Sequence, residues 1–279
     1  MNTLLVFGGK GWIGTQLMEV LKHSFVIIHS ECRADNETDV IREMNRVHPT
    51  RVISLIGRTH GTGCSTIDYL EQPGKLRDNI RDNLYAPLFL ALVCKERGIH
   101  LTYLGTGCIF DGTDKKYTED DFPDFFGSSY STVKGFTDRI MHLFEDTVLN
   151  VRLRMPIAPG PLSFIDKIIK YEKICSNPNS MSVLDSLFPS LVDMMEKGRT
   201  GTINFTNPGT ISHNEILQLY HDLIDPTFTW ENFSIEEQDL ILKSKRSNNH
   251  LDTSTLESMY PDVPSIREAV VSYLSKKNV

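Results

Sequence analysis

The stretch Leu4-Leu5-Val6-Phe7-Gly8-Gly9-Lys10-Gly11-Trp12-Ile13-Gly14 decides the fold. Its four leading apolar residues predict a short buried strand. Ile13, Leu17, Val20 and Leu21 then recur at helical spacing, which predicts an amphipathic helix. Between the two, Gly8, Gly11 and Gly14 form G-x-x-G-x-x-G. Glycine lets the backbone turn tightly and approach a pyrophosphate, and the helix start supplies N–H groups and a positive dipole. A glycine pattern alone is weak. Placed directly after a strand and before a helix, it predicts a dinucleotide site built from Gly8, Lys10, Gly11, Trp12, Ile13 and Gly14 rather than a plain turn.

Outward from this unit the pattern repeats. Residues 25–28, 52–56, 101–104 and 151–153 are short apolar runs, and helical spacings fill the gaps (Leu88 and Leu92; Ile140, Leu143 and Phe144). Alternating strands and helices predict an α/β, Rossmann-type, doubly wound parallel sheet covered on both faces. After Met155 the texture changes. Pro156, Pro159, Pro161, Pro178, Pro189 and Pro208 cut the chain into short pieces. Ser212 with Glu215, Ser234 with Glu237 and Ser265 with Glu268 are capping-box pairs that start helices. The expected division is a dinucleotide-binding domain at 1–155 and a smaller substrate lobe at 156–279, with some chain crossing between them.

Bulk properties narrow the function. The 279 residues carry a net charge of −7, which disfavours nucleic acid and anionic lipid as partners. No apolar run spans a bilayer. The longest, 84–94, is interrupted by Pro87 and reads as a buried helix. The N-terminus lacks the basic and apolar regions of a signal peptide. Five widely spaced cysteines without C-x-x-C predict reduced thiols in the cytoplasm. The nine histidines form no H-x-x-x-H pair, so no metal is expected.

The second strand runs into Ile28-His29-Ser30-Glu31-Cys32-Arg33. An acid at this place suits the ribose hydroxyls of NADH, so Glu31 would fill that role. Arg33, helped by Lys10, would instead hold the 2′-phosphate of NADPH. NADPH is the expected cofactor, with NADH the alternative.

Tyr130 and Lys134 form Y-x-x-x-K, which puts both on one helix face. A cation beside a phenol lowers its pKa from about 10 and readies it to exchange a proton with a carbonyl. Tyr273 and Lys277 share the spacing but lack the context. Thr106 and Cys108 lie two residues apart at a strand end. In extended chain both side chains would point the same way. Thr106 would then hydrogen-bond the carbonyl that Tyr130 protonates. Arg246 is a candidate for a diphosphate, because a guanidinium binds phosphate oxygens bidentately. Asn179 and Ser180 are weaker candidates for the nucleotide, and Asn83 for shaping the site.

These residues resemble the extended short-chain dehydrogenase/reductases. Within them the chain is similar to dTDP-4-keto-rhamnose reductases, to GDP-fucose synthase and above all to the plant nucleotide-rhamnose synthase/epimerase-reductases. The runs that carry the likeness are Gly11-Trp12-Ile13-Gly14, Thr106-Gly107-Cys108-Ile109-Phe110, Arg154-Met155-Pro156-Ile157, Pro178-Asn179-Ser180-Met181, Asn204-Phe205-Thr206-Asn207-Pro208-Gly209, Ser212-His213-Asn214-Glu215-Ile216 and Arg246-Ser247-Asn248-Asn249. The segment between Cys108 and Tyr130 and the stretch after Pro156 are shorter than in the plant proteins. The resemblance implies two reactions in one site: 3,5-epimerisation of UDP-4-keto-6-deoxy-glucose, then NADPH-dependent reduction at C4 to UDP-L-rhamnose. It implies Cys108 as the epimerising base, where the alternative is a small buried hydrophobe. It implies Lys167 as the opposing acid, where the alternative is a solvated lysine. His213 sits at a helix start and reads as a capping-region residue.

Two rivals remain at this level. One is a reductase that receives an already epimerised sugar; a thiol at Cys108 would then have no task. The other is a non-catalytic dinucleotide-binding subunit like the regulatory partner of methionine adenosyltransferase, against which Thr106, Tyr130 and Lys134 speak. The expected partner is the UDP-keto-hexose, supplied by a 4,6-dehydratase on a separate protein, and a homodimer fits the class.

Overall fold

The computed structural model describes residues 2–277. The first half alternates as read: β1 (Asn2–Phe7), α1 (Trp12–Leu21), β2 (Phe25–His29), α2 (Glu37–Val47), β3 (Arg51–Ser54), α3 (Leu76–Ile80), α4 (Ala86–Glu96), β4 (His100–Thr106), β5 (Gly112–Tyr117), α5 (Ser129–Met141) and β6 (Val148–Leu153). The second half holds α6 (Phe164–Ile168), β7 (Lys173–Ile174), α7 (Leu184–Glu196), β8 (Gly201–Asn204), α8 (His213–Leu223), β9 (Glu231–Asn232), α9 (Ile235–Ile241), β10 (Asn249–Leu251), α10 (Ser254–Met259) and α11 (Ile266–Lys277).

Six parallel strands form the main sheet in the order β2-β1-β3-β4-β6-β8. Strand order reverses between β1 and β3, and ligands of doubly wound sheets bind at the carboxyl ends beside such a reversal. Both faces are covered, so β6 is buried along its whole length. One face packs Leu17 and Leu21 of α1 against Leu187 and Leu191 of α7. The other packs Val40 and Met44 of α2 with Leu90 of α4 and Met141 of α5. A third core joins α6, α8 and α11 through Ile165, Ile216 and Val270. The sixth strand, β8, comes from beyond residue 156 and returns the chain to the sheet.

The edges differ from the sequence reading in ways that matter for the site. β3 stops at Ser54, which leaves Leu55 and Ile56 as connecting chain over Gly8. β4 continues to Thr106. Before α4, Arg81–Tyr85 form a π-helical turn, and Pro87 falls in the first turn of α4, where proline is tolerated. β5 pairs with β10, which ties the chain after Cys108 to the C-terminal segment. Capping boxes form at Ser212 and Ser234, and the Ser265–Glu268 bonds are also made. Among the described residues no helix is long and apolar enough to cross a membrane.

Candidate active site

The glycine loop has the shape that a pyrophosphate needs. Gly8 lies in the left-handed region at φ +81°, and a Cβ there would come within 3.0 Å of the Leu55 backbone. A Cβ on Gly14 would sit 2.6 Å from the Gly9 carbonyl oxygen, so loop and helix approach too closely for any side chain. Gly11 caps α1 without a side-chain hydrogen bond, which leaves the helix start available to an anion. These residues fit a dinucleotide. Trp12 plays a side-chain part that its motif does not announce: its indole N–H donates to the Pro159 carbonyl at 2.7 Å. Ile13 packs into the core beneath, and Lys10 is exposed.

Beside Gly8 lies a cavity of about 300 Å³ bounded by Ser30, Arg33, Arg58 and Asp82. Arg33 reaches Asp35 at 2.8 Å and Asp82 at 3.2 Å. Arg58 and Arg81 also bond Asp82. Burial alone would raise the Asp82 carboxyl, but these guanidinium bonds hold it below the usual carboxylate range. Glu31 does not line the cavity; its backbone N–H donates to Glu43 at 2.9 Å. Asn83 is no surface residue. It is fully buried, accepts from the Arg58 N–H at 2.9 Å and donates to the Arg58 carbonyl and to Asn79. Its amide therefore pins the loop that carries Arg58.

The catalytic candidates converge across α5 and the end of β4. Ser128 caps α5 and accepts from Ser131 N–H, which sets the helix start just ahead of Tyr130. Tyr130 and Lys134 are both buried on the inner face. The Thr106 hydroxyl lies near enough to Tyr130 to favour its ionised form, and Cys108 packs against the same cluster. The expectation of extended chain at Cys108 does not hold. β4 ends at Thr106, and its hydroxyl captures the Cys108 N–H at 3.1 Å, so Cys108 sits in a turn. Such local side-chain bonds compete with the strand ladder.

The expected lowering of Tyr130 by Lys134 is also absent. Burial foremost, with the Cys108 charge, raises the phenol, and Thr106 opposes it. Lys134 Nζ instead donates to the Tyr103 hydroxyl and lies 4.5 Å above that ring. Burial brings the Lys134 ammonium down to about 7, with Asp138 and Cys108 opposing.

A second cleft of about 800 Å³ opens over this cluster, with Cys108, Tyr130, Arg154, His213 and Arg246 in its walls. Arg246 is not a free cation. It pairs with Asp68 at 2.8 Å and bonds Ser244. Burial pushes the Asp68 carboxyl up, but Arg246 and Ser244 outweigh this and bring it to about 2. Asn179 and Ser180 are fully buried and bonded within the fold, to Asn248 and Asn249 and to Leu251 N–H. The side chains that reach the cleft there are Asn177 and Asn248. Lys167 is half-buried, with Nζ 3.5 Å from the Ser65 carbonyl, and burial lowers its ammonium. It is not in the cleft wall, whereas Lys170 is. Tyr273 and Lys277 are held by Ala158 and Asp166, away from this chemistry.

Four contributors carried little or no signal in the sequence. Tyr103 and Arg58 are ordinary residues of a strand and a loop until the sheet sets them beside Lys134 and Asp82. Arg154 is fully buried and meets the cleft. His213 follows the true cap, Ser212, and its ring packs at 5.0 Å on Phe164. Burial, then Arg154, lowers the imidazole to about 4, which keeps it neutral.

A family model described as the RmlD substrate binding domain matches residues 1–134. The chain is 55% identical, over 98% of its length and 97% of the other's, to protein L780 of Acanthamoeba polyphaga mimivirus. It is also 36% identical, over 98% of its length and 93% of the other's, to an Arabidopsis thaliana protein named bifunctional dTDP-4-dehydrorhamnose 3,5-epimerase/dTDP-4-dehydrorhamnose reductase. The chain belongs to the RmlD family. Its fold agrees with that of solved structures along nearly the whole chain. The L780 structure, described as a UDP-rhamnose synthase, superposes with a TM-score of 0.96 over 99% of both chains. A dTDP-4-dehydrorhamnose reductase from Bacillus anthracis, solved in complex with NADP, superposes at 0.84 over 99% of both chains with 18% identity, which speaks to the RmlD fold alone.

Proposed function

We propose that this RmlD-family protein is a nucleotide-sugar enzyme of rhamnose synthesis that both epimerises and reduces. Its substrate is UDP-4-keto-6-deoxy-glucose and its product UDP-L-rhamnose. The observation that carries this reading is the meeting of Cys108 and Tyr130 in the wall of one large cleft, with the Thr106 hydroxyl holding the Cys108 N–H behind them.

The chemistry follows from the three side chains. C3 and C5 of the sugar both neighbour the C4 ketone, so their protons become acidic when the carbonyl oxygen is stabilised. Thr106 and Tyr130 are the donors for that oxygen, first as enolate and later as alkoxide. Cys108 takes the proton from carbon. An acid on the opposite face returns one, and Lys167 is the candidate named by the resemblance. Lys170 is the second candidate, favoured by its place in the cleft wall. Arg246 and Asn177, both in the cleft wall, are the candidates for the diphosphate and the nucleotide. When bound, the nicotinamide dinucleotide supplies the hydride for C4, and Tyr130 supplies the proton. The glycine loop and the start of α1 would hold its pyrophosphate. Arg33 and Arg58 beside Asp82 support NADPH over NADH, since a 2′-phosphate would compete for the guanidinium groups that Asp82 now holds.

The test is NMR of the sugar in deuterated water, with and without NADPH. The reading expects deuterium at C3 and C5 without cofactor, and UDP-L-rhamnose with it. Cys108→Ser should lose deuterium incorporation yet still reduce a pre-epimerised substrate. Wild-type exchange in that variant would remove Cys108 as the base.

A further inference from the structure

Arg152 in β6 and Arg154 just past its end are both buried. Their surroundings differ in one respect. Arg152 has a carboxylate: it bonds both oxygens of Asp138, at 2.9 and 2.7 Å. Arg154 has none among the described residues. Its guanidinium donates to the Ser180 carbonyl at 3.0 Å, the Ser247 carbonyl at 2.6 Å and the Met155 sulfur at 3.1 Å. Its Nε is buried without a partner. A buried cation held by neutral groups alone is costly, and breaking or omitting its counter-charge is a known source of instability. The backbone beside it is strained as well. Met155 adopts φ +42° although it is not glycine and precedes proline. Strain and unpaired charge of this kind cluster at functional sites.

Cys108 lies close by. Both line the large cleft. The Arg154 stem runs beside the preceding residue, since a Cβ on Gly107 would lie 3.5 Å from Arg154 Cδ. Burial lowers the guanidinium, and a thiolate at Cys108, then the exposed Asp111, would oppose this. From α5, Tyr130 and Lys134 also face the thiol; from residues 61–71, Tyr69 and Cys64 do. His213, the other titrating neighbour of Arg154, is held neutral. Of the cations around Cys108, Arg154 alone keeps its charge at every working pH, because a guanidinium does not deprotonate there and Lys134 titrates near 7.

We propose that Arg154 is a positioning residue whose buried guanidinium is the counter-charge for a Cys108 thiolate. The arrangement rests on the reading of Cys108 as the epimerising base. Cys108 releases its proton to solvent, and the thiolate is matched by Arg154. The thiolate then takes the proton from C3 or C5, and the C–H electron pair moves into the enolate, with its charge on the C4 oxygen. After the opposing acid protonates the carbon, Cys108 gives its proton to solvent, the acid takes one from solvent, and the pair is restored.

The test reads the thiol directly. Alkylation of Cys108 by iodoacetamide is followed by peptide mass spectrometry from pH 5 to 10 in the whole protein. Arg154→Met should slow alkylation of Cys108 at neutral pH several-fold, and Arg154→Lys by clearly less, because it keeps a charge. Superimposable profiles would overturn the proposal. If Arg154→Met does not fold, a second pair leaves Arg154 in place: Cys108→Asp supplies a permanent anion, and Cys108→Asn its neutral isostere. At pH 7 the aspartate variant should melt higher than the asparagine variant; a lower melting temperature would overturn the counter-charge. The result stands apart from the epimerase reading. A shifted profile with intact deuterium exchange in Cys108→Ser would keep the Arg154–Cys108 pair and remove the base.

Discussion

Lys134→Met should make the apoprotein more stable. Lys134 is 3% exposed and lies over the Tyr103 ring. Burial lowers its ammonium from 10.5 to about 7. In the unfolded chain the group is protonated below 10.5, so folding must either strip its proton or bury its charge. Stability is therefore lost as pH falls from 10.5 toward 7, and below 7 the full cost is present, about 5 kcal/mol. Methionine has similar length and no charge. Against the gain stands the Tyr103 hydroxyl, which loses Nζ as its partner, at about 1–2 kcal/mol. A net gain of about 3 kcal/mol raises Tm by about 5 °C or more in a chain of this size. The assay is differential scanning calorimetry of both proteins from pH 6 to pH 10. The difference should be largest at pH 6 and should shrink steadily toward pH 10. A variant that melts at or below wild type at pH 6, or a difference that does not depend on pH, would refute the buried-cation reasoning.

Three further outcomes follow from the site. Tyr130→Phe removes one hydroxyl from a well-packed face and should lower NADPH oxidation by about 100-fold or more, with Tm little changed; near-normal turnover would exclude it as the proton donor. Arg33→Ala and Arg58→Ala should each weaken NADPH more than NADH in fluorescence titrations, and equal losses for the two cofactors would give the choice to other groups. Gly14→Ala places a Cβ 2.6 Å from the Gly9 carbonyl oxygen and should cost dinucleotide affinity about 10-fold or more; unchanged affinity would mean that the loop relaxes without loss.

The parallel α/β architecture was legible because it rests on local rules. Strand β1, the glycine turn and α1 are written within twenty residues, where hydrophobic period and glycine tolerance act without help from the rest of the chain. The capping serines 212 and 234 acted in the same way. Tyr130 and Lys134 share a helix face by spacing alone.

What the sequence could not determine was every consequence of long-range contact. Cys108 left the strand because the Thr106 hydroxyl captured its N–H. Lys134 turned to Tyr103, 31 residues away, because β4 and α5 pack together. Arg246 and Asp68 pair across 178 residues, and Asn179 and Ser180 were drawn inside by the strand around Asn249. Arg154 follows a strand like many arginines; only the folded chain shows it buried in the cleft wall with no carboxylate partner among the described residues. Spacing sets which side chains share a face. The charge and hydrogen-bond partners that decide their chemistry come from segments that meet only when the core closes, so those were the tertiary structure's to decide.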